Sequence, residues 1–182
     1  MENGARKSVG GNLKGRVAEG IIEQMFRRSR REIYFLGIEW RQLCTGANGD
    51  VTFLTKIGKK TVKRNRFKKP PDFLVVTLDR KFEYVEVRFR DGGWPFLGFK
   101  DAGNDDIEFF RNLGKTEGPD FKVLWLSQHE MKVVVHPFWG NGGLVTQSVA
   151  EQTSWGIQPE VFKECLHYLK IFGTALVNES KE

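Results

Sequence analysis

Two acidic residues, Asp72 and Glu86, stand on neighbouring apolar runs, and Arg88 follows Glu86 by two positions. Asp72 opens Phe73 to Leu78, an almost continuous apolar run of the kind a strand covered on both faces shows. Glu86 lies inside Phe82 to Arg90, where Glu83, Val85, Val87 and Phe89 alternate with Phe82, Tyr84, Glu86, Arg88 and Arg90. Glu86 and Arg88 therefore share one face of a strand. Asp79-Arg80-Lys81 reads as the turn between the two runs, and a hairpin there brings Asp72 and Glu86 together near one end of the ladder. Carboxylates that close repel unless one is protonated or a cation bridges them. A hard divalent cation with oxygen ligands, Mg²⁺ or Mn²⁺, meets that need. It polarises a phosphoryl oxygen and acidifies a bound water, and a neighbouring cation such as Arg88 steadies the developing charge. The competing reading is a salt bridge from Glu86 to Arg88 or Arg90 that does no more than satisfy a buried acid.

The second chemical signal is cationic. Lys56, Lys59, Lys60, Lys63, Arg64, Arg66, Lys68 and Lys69 follow one another with no acidic residue between them. Like charges at this density repel, and a polyanion relieves the repulsion. Phosphate contacts with counterion release would give salt-sensitive, sequence-independent binding. The run ends at Pro70-Pro71, which stop any preceding element. It enters the chain just before Asp72, where a substrate strand needs guiding. A basic loop that contacts an acidic protein is the alternative from a different functional class.

In type and order these residues resemble a known pattern. Pro71-Asp72, a spacer, then Glu86-Val87-Arg88 resembles the PD-(D/E)XK signature of the restriction-endonuclease-like superfamily. Gly15-Arg16-Val17-Ala18-Glu19, at the start of an amphipathic helix, resembles the opening of that fold in archaeal Holliday-junction resolvases and related small nucleases. The resemblance spans roughly residues 15–137. It implies a restriction-endonuclease-like α/β domain with a central mixed sheet flanked by helices. It implies a metal-dependent nuclease that hydrolyses phosphodiester bonds, with DNA as the polymer and Mg²⁺ or Mn²⁺ as the cofactor. It also implies that Glu19 completes or orients the metal site and that the Val87 carbonyl joins Asp72 and Glu86 as a ligand. Many relatives of this fold act as dimers to cut two strands, so a homodimer is a further expectation.

One position departs from the pattern, which ends in Lys where this chain has Arg88. Arg keeps the positive charge and grips phosphate in a bidentate way. It does not give up a proton near neutral pH. If the lysine acts electrostatically, Arg88 serves. If it must accept a proton, cleavage is weakened or lost, and the chain becomes a nucleic-acid-binding domain on the same fold.

The elements that must position these residues can be read around them. Val17, Ala18, Ile21, Ile22, Met25 and Phe26 recur at helical spacing and predict a helix from Arg16 to Arg30. Short strands are expected at Ile33 to Leu36, Val51 to Ile57, Phe121 to Leu126 and Met131 to His136. Ile107, Phe109, Phe110 and Leu113 suggest a helix between them. Pro159 at a first helical position, then Val161, Phe162, Cys165, Leu166 and Leu169 with Gly173 after, mark a terminal helix. Residues 1–14 are polar and Gly-rich and read as a flexible tail; 15–175 read as a single domain and 176–182 as a C-terminal tail.

Composition bounds the rest. The 182 residues are 40% hydrophobic and 13% aromatic, enough for one core without staples. No run approaches the roughly 18 apolar residues that cross a bilayer. Cys44 and Cys165 make no framework, and His129, His136 and His167 lack zinc-ligand spacing. No membrane partner and a reducing, cytoplasmic location are expected. The net charge is +6, and its placement is uneven. Lys and Arg outnumber Asp and Glu 17 to 6 over residues 1–70 and trail 12 to 17 over 71–182. A basic half beside an acidic half suits a polyanion surface next to a site built from carboxylates.

Overall fold

The apolar positions of the first helix set the architecture. Ala18, Ile22, Met25 and Phe26 are all fully buried and lie on helix α1, Asn3–Arg28. The computed structural model describes residues 3–36, 51–62, 71–89, 120–134 and 146–179, and the side chains within them apart from 3–12, 51, 53, 54, 62 and 175–179. The stretch expected as a flexible tail is helical from Asn3 onward, so Gly15 and Glu19 sit within the helix and not at its head. The helix ends on Arg30, left-handed at φ 58. Arg30 N–H donates to the Arg27 carbonyl at 2.9 Å and Arg31 N–H to the Phe26 carbonyl at 2.8 Å, the paired bonds of a Schellman cap.

Eight strands are described: β1 (Ile33–Phe35), β2 (Val51–Thr55), β3 (Gly58–Val62), β4 (Phe73–Val76), β5 (Phe82–Phe89), β6 (Phe121–Leu126), β7 (Met131–Val134) and β8 (Thr146–Ser148). Two 3-10 turns, Val149–Glu151 and Thr153–Trp155, lead to helix α2, Pro159–Glu179. Six strands form one sheet in the order β1-β4-β5-β6-β7-β8, while β2 and β3 pair as a separate ribbon. β5 and β6 run parallel; the other neighbours are antiparallel. The fold is thus a mixed α/β arrangement. Parallel neighbours need a long crossover, for which residues 90–120 are available. The helix expected at Ile107 to Leu113 falls outside the described residues, as do Arg90, His136 and Lys63 to Lys69.

Strand alternation divides the sheet into two faces. Ile33, Phe73, Val75, Val85, Val87, Leu124, Leu126, Met131 and Val133 join one core with α1 and α2. Trp155 closes this layer: it is fully buried and meets Phe26 edge-on at 5.1 Å between ring centroids. Tyr84, Glu86 and Arg88 point to the other face, beside Phe121, Val123 and Trp125 of β6. At one end the helices are tied by Arg28 and Glu164, 2.6 Å apart. Arg28, together with Tyr168, holds the half-buried Glu164 carboxyl down at about 2.

The turn between β4 and β5 forms as expected. Thr77 Oγ1 donates to Asp79 Oδ1 at 2.5 Å and accepts from Lys81 N–H at 2.9 Å, and Arg80 takes the left-handed conformation at φ 62 that follows the tight turn. Two expectations are corrected. The basic stretch from Lys56 contains a strand, β3, which turns back on β2. Gly173 does not end the last helix, which runs on to Glu179. It instead permits close approach: a Cβ there would lie 2.6 Å from Gln128 Cβ. Gly173→Ala is expected to lower stability by about 1–2 kcal/mol, because the overlap outweighs the ~1 kcal/mol of helix propensity that Ala adds. The denaturation midpoint measures this, and a rise would show that the contact relaxes freely. Among the described residues no helix is long and apolar enough to cross a membrane.

Candidate metal centre

The β4–β5 hairpin sets Phe73 opposite Val85. One step further, the same register sets Asp72 opposite Glu86, and two steps further Pro71 opposite Val87. At the turn end Thr77 N–H donates to the Lys81 carbonyl at 2.9 Å. Because bonded pairs alternate along an antiparallel ladder, Val87 and Pro71 fall on a bonded position. Proline has no N–H to give, and the ladder ends there. Val87 N–H donates to Asp72 Oδ2 at 2.7 Å, a buried bond in which the carboxylate accepts where the Pro71 carbonyl would in a continued ladder. The N–H and C=O of an extended residue point to the same strand edge, so the Val87 carbonyl also faces the Asp72 side. The Asp72 carbonyl accepts from Leu36 N–H at 2.8 Å, which ties the corner to the end of β1.

Glu86 is the most enclosed acid of this group, 1% exposed. It lies between Tyr84 and Arg88 along β5 and opposite Val123 across the parallel ladder. Arg88 Nη2 meets Glu86 Oε1 at 2.9 Å, with the Arg88 side chain 21% exposed. The same-face reading of Glu86 and Arg88 is therefore realised, and so is the salt bridge that competes with the metal reading.

The sequence-based site residues separate into two groups. Asp72, Glu86, Val87 and Arg88 meet at one corner of the sheet. Glu19, half-buried, lies on α1, which packs against the opposite face. Among the described residues no three His, Cys, Asp or Glu side chains gather closely enough to hold a metal ion. A cluster of Glu19 with Asp72 and Glu86 is therefore not assembled. Of the basic run, Lys56 and Lys59 are exposed and Lys60 is half-buried; Lys63, Arg64, Arg66, Lys68 and Lys69 lie outside the described residues.

Sequence reading missed Glu83. It faces the helices, and Trp155 Nε1 donates to its Oε2 at 2.6 Å. Burial pushes its carboxyl above the ordinary range, against the downward pull of the indole bond. A carboxyl with a raised folded value holds its proton better when folded. The stability it adds is present at low pH and is lost as pH climbs from the ordinary carboxylate range through the raised value. Glu83→Gln keeps an acceptor for Trp155 and removes the charge. Its stability relative to the parent chain is expected to be greater near pH 7 than near pH 4, read from urea midpoints. A constant difference across that range would show that Glu83 titrates normally. The signal in the sequence was an acid on the apolar side of an alternating strand.

No family model, curated protein or solved structure matches the chain.

Proposed function

We propose that this chain is a metal-dependent nuclease of the restriction-endonuclease-like type that hydrolyses phosphodiester bonds in DNA, with Asp72 and Glu86 as its metal-holding pair. The observation that carries the reading is the Val87 N–H to Asp72 Oδ2 bond of 2.7 Å. It fixes a buried carboxylate at the dipeptide that begins with Glu86. The donor set suits a hard ion: two carboxylates and a strand carbonyl, all oxygen, at one corner. Asp72, Glu86 and the Val87 carbonyl would hold Mg²⁺ or Mn²⁺. When bound, such an ion supplies Lewis-acid polarisation and an acidified water. Arg88 supplies charge beside the leaving or attacking oxygen and orients phosphate, but exchanges no proton. The mixed sheet with helices packed on one described face supports the same reading.

One observation favours a second reading. The Glu86–Arg88 pair at 2.9 Å already compensates the buried acid, as expected of a nucleic-acid-binding domain that has lost cleavage. Incubation with single-stranded, duplex and branched DNA separates the two. The nuclease reading expects cleavage that appears with Mg²⁺ or Mn²⁺ and stops with a chelator. Salt-sensitive binding without cleavage selects the second reading, and no binding at low salt removes both.

A further inference from the structure

The β2–β3 ribbon carries three lysines of the basic run, and the structure gives them different surroundings. Lys56 and Lys59 are exposed. Lys60 is half-buried, its Nζ 5.0 Å from the centroid of the Phe82 ring and 5.9 Å from that of Tyr84. Alternation explains the split: Lys59 and Thr61 share one face of β3, and Lys60 takes the other. Thr61 pairs with Thr52 across the ribbon, and their hydroxyls are 2.8 Å apart. The outer face thus presents Thr52, Lys59 and Thr61, all exposed. A second attachment lies at the ribbon's turn, where Lys56 N–H donates to Glu32 Oε1 at 2.9 Å and Tyr34 also bonds to Glu32.

Both attachments place the ribbon over the sheet face that carries Glu86. Phe82, Tyr84 and Glu86 alternate along that face of β5, so the rings under Lys60 lie about 7 to 13 Å from Glu86 along the strand. That is well inside one turn of duplex, about 34 Å. The segment from Val51 to Pro71 contains no acidic residue, so nothing within it offsets the field a phosphate backbone would meet. A two-stranded ribbon is one of the elements that a duplex groove admits. Lysine and threonine are common partners of phosphate. Single-strand binders instead offer open rings for base stacking. Here Lys60 covers the Phe82 and Tyr84 rings.

We infer that the β2–β3 ribbon is a duplex-docking surface in which Lys56 and Lys59 contact phosphates while Lys60 is a positioning residue that anchors the ribbon to the sheet. The inference rests on the nucleic-acid reading above and narrows its substrate to double-stranded polymer.

The test is a salt titration of full-chain binding to a labelled duplex of about 20 base pairs and to one of its strands, read by fluorescence anisotropy. For the double variant Lys56→Gln/Lys59→Gln the slope of log affinity against log salt is expected to become shallower by about 2, roughly one unit per lost phosphate contact. For Lys60→Met, which keeps an apolar stem on the rings, the slope is expected to stay at the parent value. Thermal midpoints confirm that each variant is folded. An unchanged slope in the double variant overturns the inference, as does a slope loss in Lys60→Met equal to that of Lys59→Gln alone. Tighter binding of the single strand overturns the duplex assignment. These outcomes arise only if the parent chain binds; if it binds neither polymer at low salt, the nucleic-acid reading itself fails, and the inference with it.

Discussion

On the nuclease reading proposed above, Asp72→Asn is expected to lower metal-dependent cleavage about a thousandfold, the equivalent of about 4 kcal/mol of transition-state stabilisation, while leaving the fold intact. The choice of Asn follows from the geometry. Asp72 Oδ2 accepts the Val87 N–H at 2.7 Å, and an amide oxygen accepts the same bond. The substitution therefore removes the negative charge and keeps the hydrogen bond. Asp72→Ala does both kinds of damage: it also orphans a buried N–H, worth about 1–3 kcal/mol of stability. The pair separates chemistry from structure. Initial rates of duplex cleavage in Mn²⁺ and urea midpoints are the measurements. Full cleavage by Asp72→Asn would show that the charge is not needed and that Asp72 serves the fold alone.

Arg88→Ala has the largest expected effect on stability, a loss of about 3–5 kcal/mol. Glu86 is 1% exposed and Arg88 lies 2.9 Å from it. Truncation leaves a desolvated carboxylate without that cation, and its alternatives are to take up a proton or open the site. Arg88→Lys keeps the charge and is expected to hold most of the stability, because an ammonium can still reach the carboxylate. It also restores the lysine of the pattern that the chain resembles. A rise in cleavage on Arg88→Lys is expected if the site is intact and only the cation is ill-suited. Denaturation midpoints and cleavage rates on the same preparations give both answers. A loss below about 1 kcal/mol for Arg88→Ala would mean that Glu86 is solvated or otherwise compensated.

Much of the corner was legible in the sequence because period-2 alternation is a strong signal. The split of Phe82 to Phe89 into two faces, the turn at Asp79 to Lys81 and the meeting of Asp72 with the Glu86 dipeptide all follow from it. The α1 core positions Ala18, Ile22, Met25 and Phe26 were legible for the same reason, at period 3.6. The helix boundaries were not. Ala5, Val9 and Leu13 recur at helical spacing there, but the glycines at 4, 10, 11 and 15, poor helix formers, masked that sparse signal. Gly173 looked like a stop because glycine ends helices, but its use here is contact with Gln128, a tertiary fact without a local signature. The ribbon was hidden by its own charge: lysines at 56, 59 and 60 mask a two-residue turn between Thr55 and Gly58. Which face of the sheet a helix covers is also non-local, and that decides the position of Glu19. It was chosen for its place on the helix and lies on the layer opposite Glu86.

The most direct measurement is the anomalous density of a crystal soaked in Mn²⁺. One peak is expected at the corner between the Asp72 and Glu86 carboxylates and near the Val87 carbonyl, with the Arg88 head moved off Glu86 Oε1. A map with no peak there, and with Arg88 still 2.9 Å from Glu86, would contradict it.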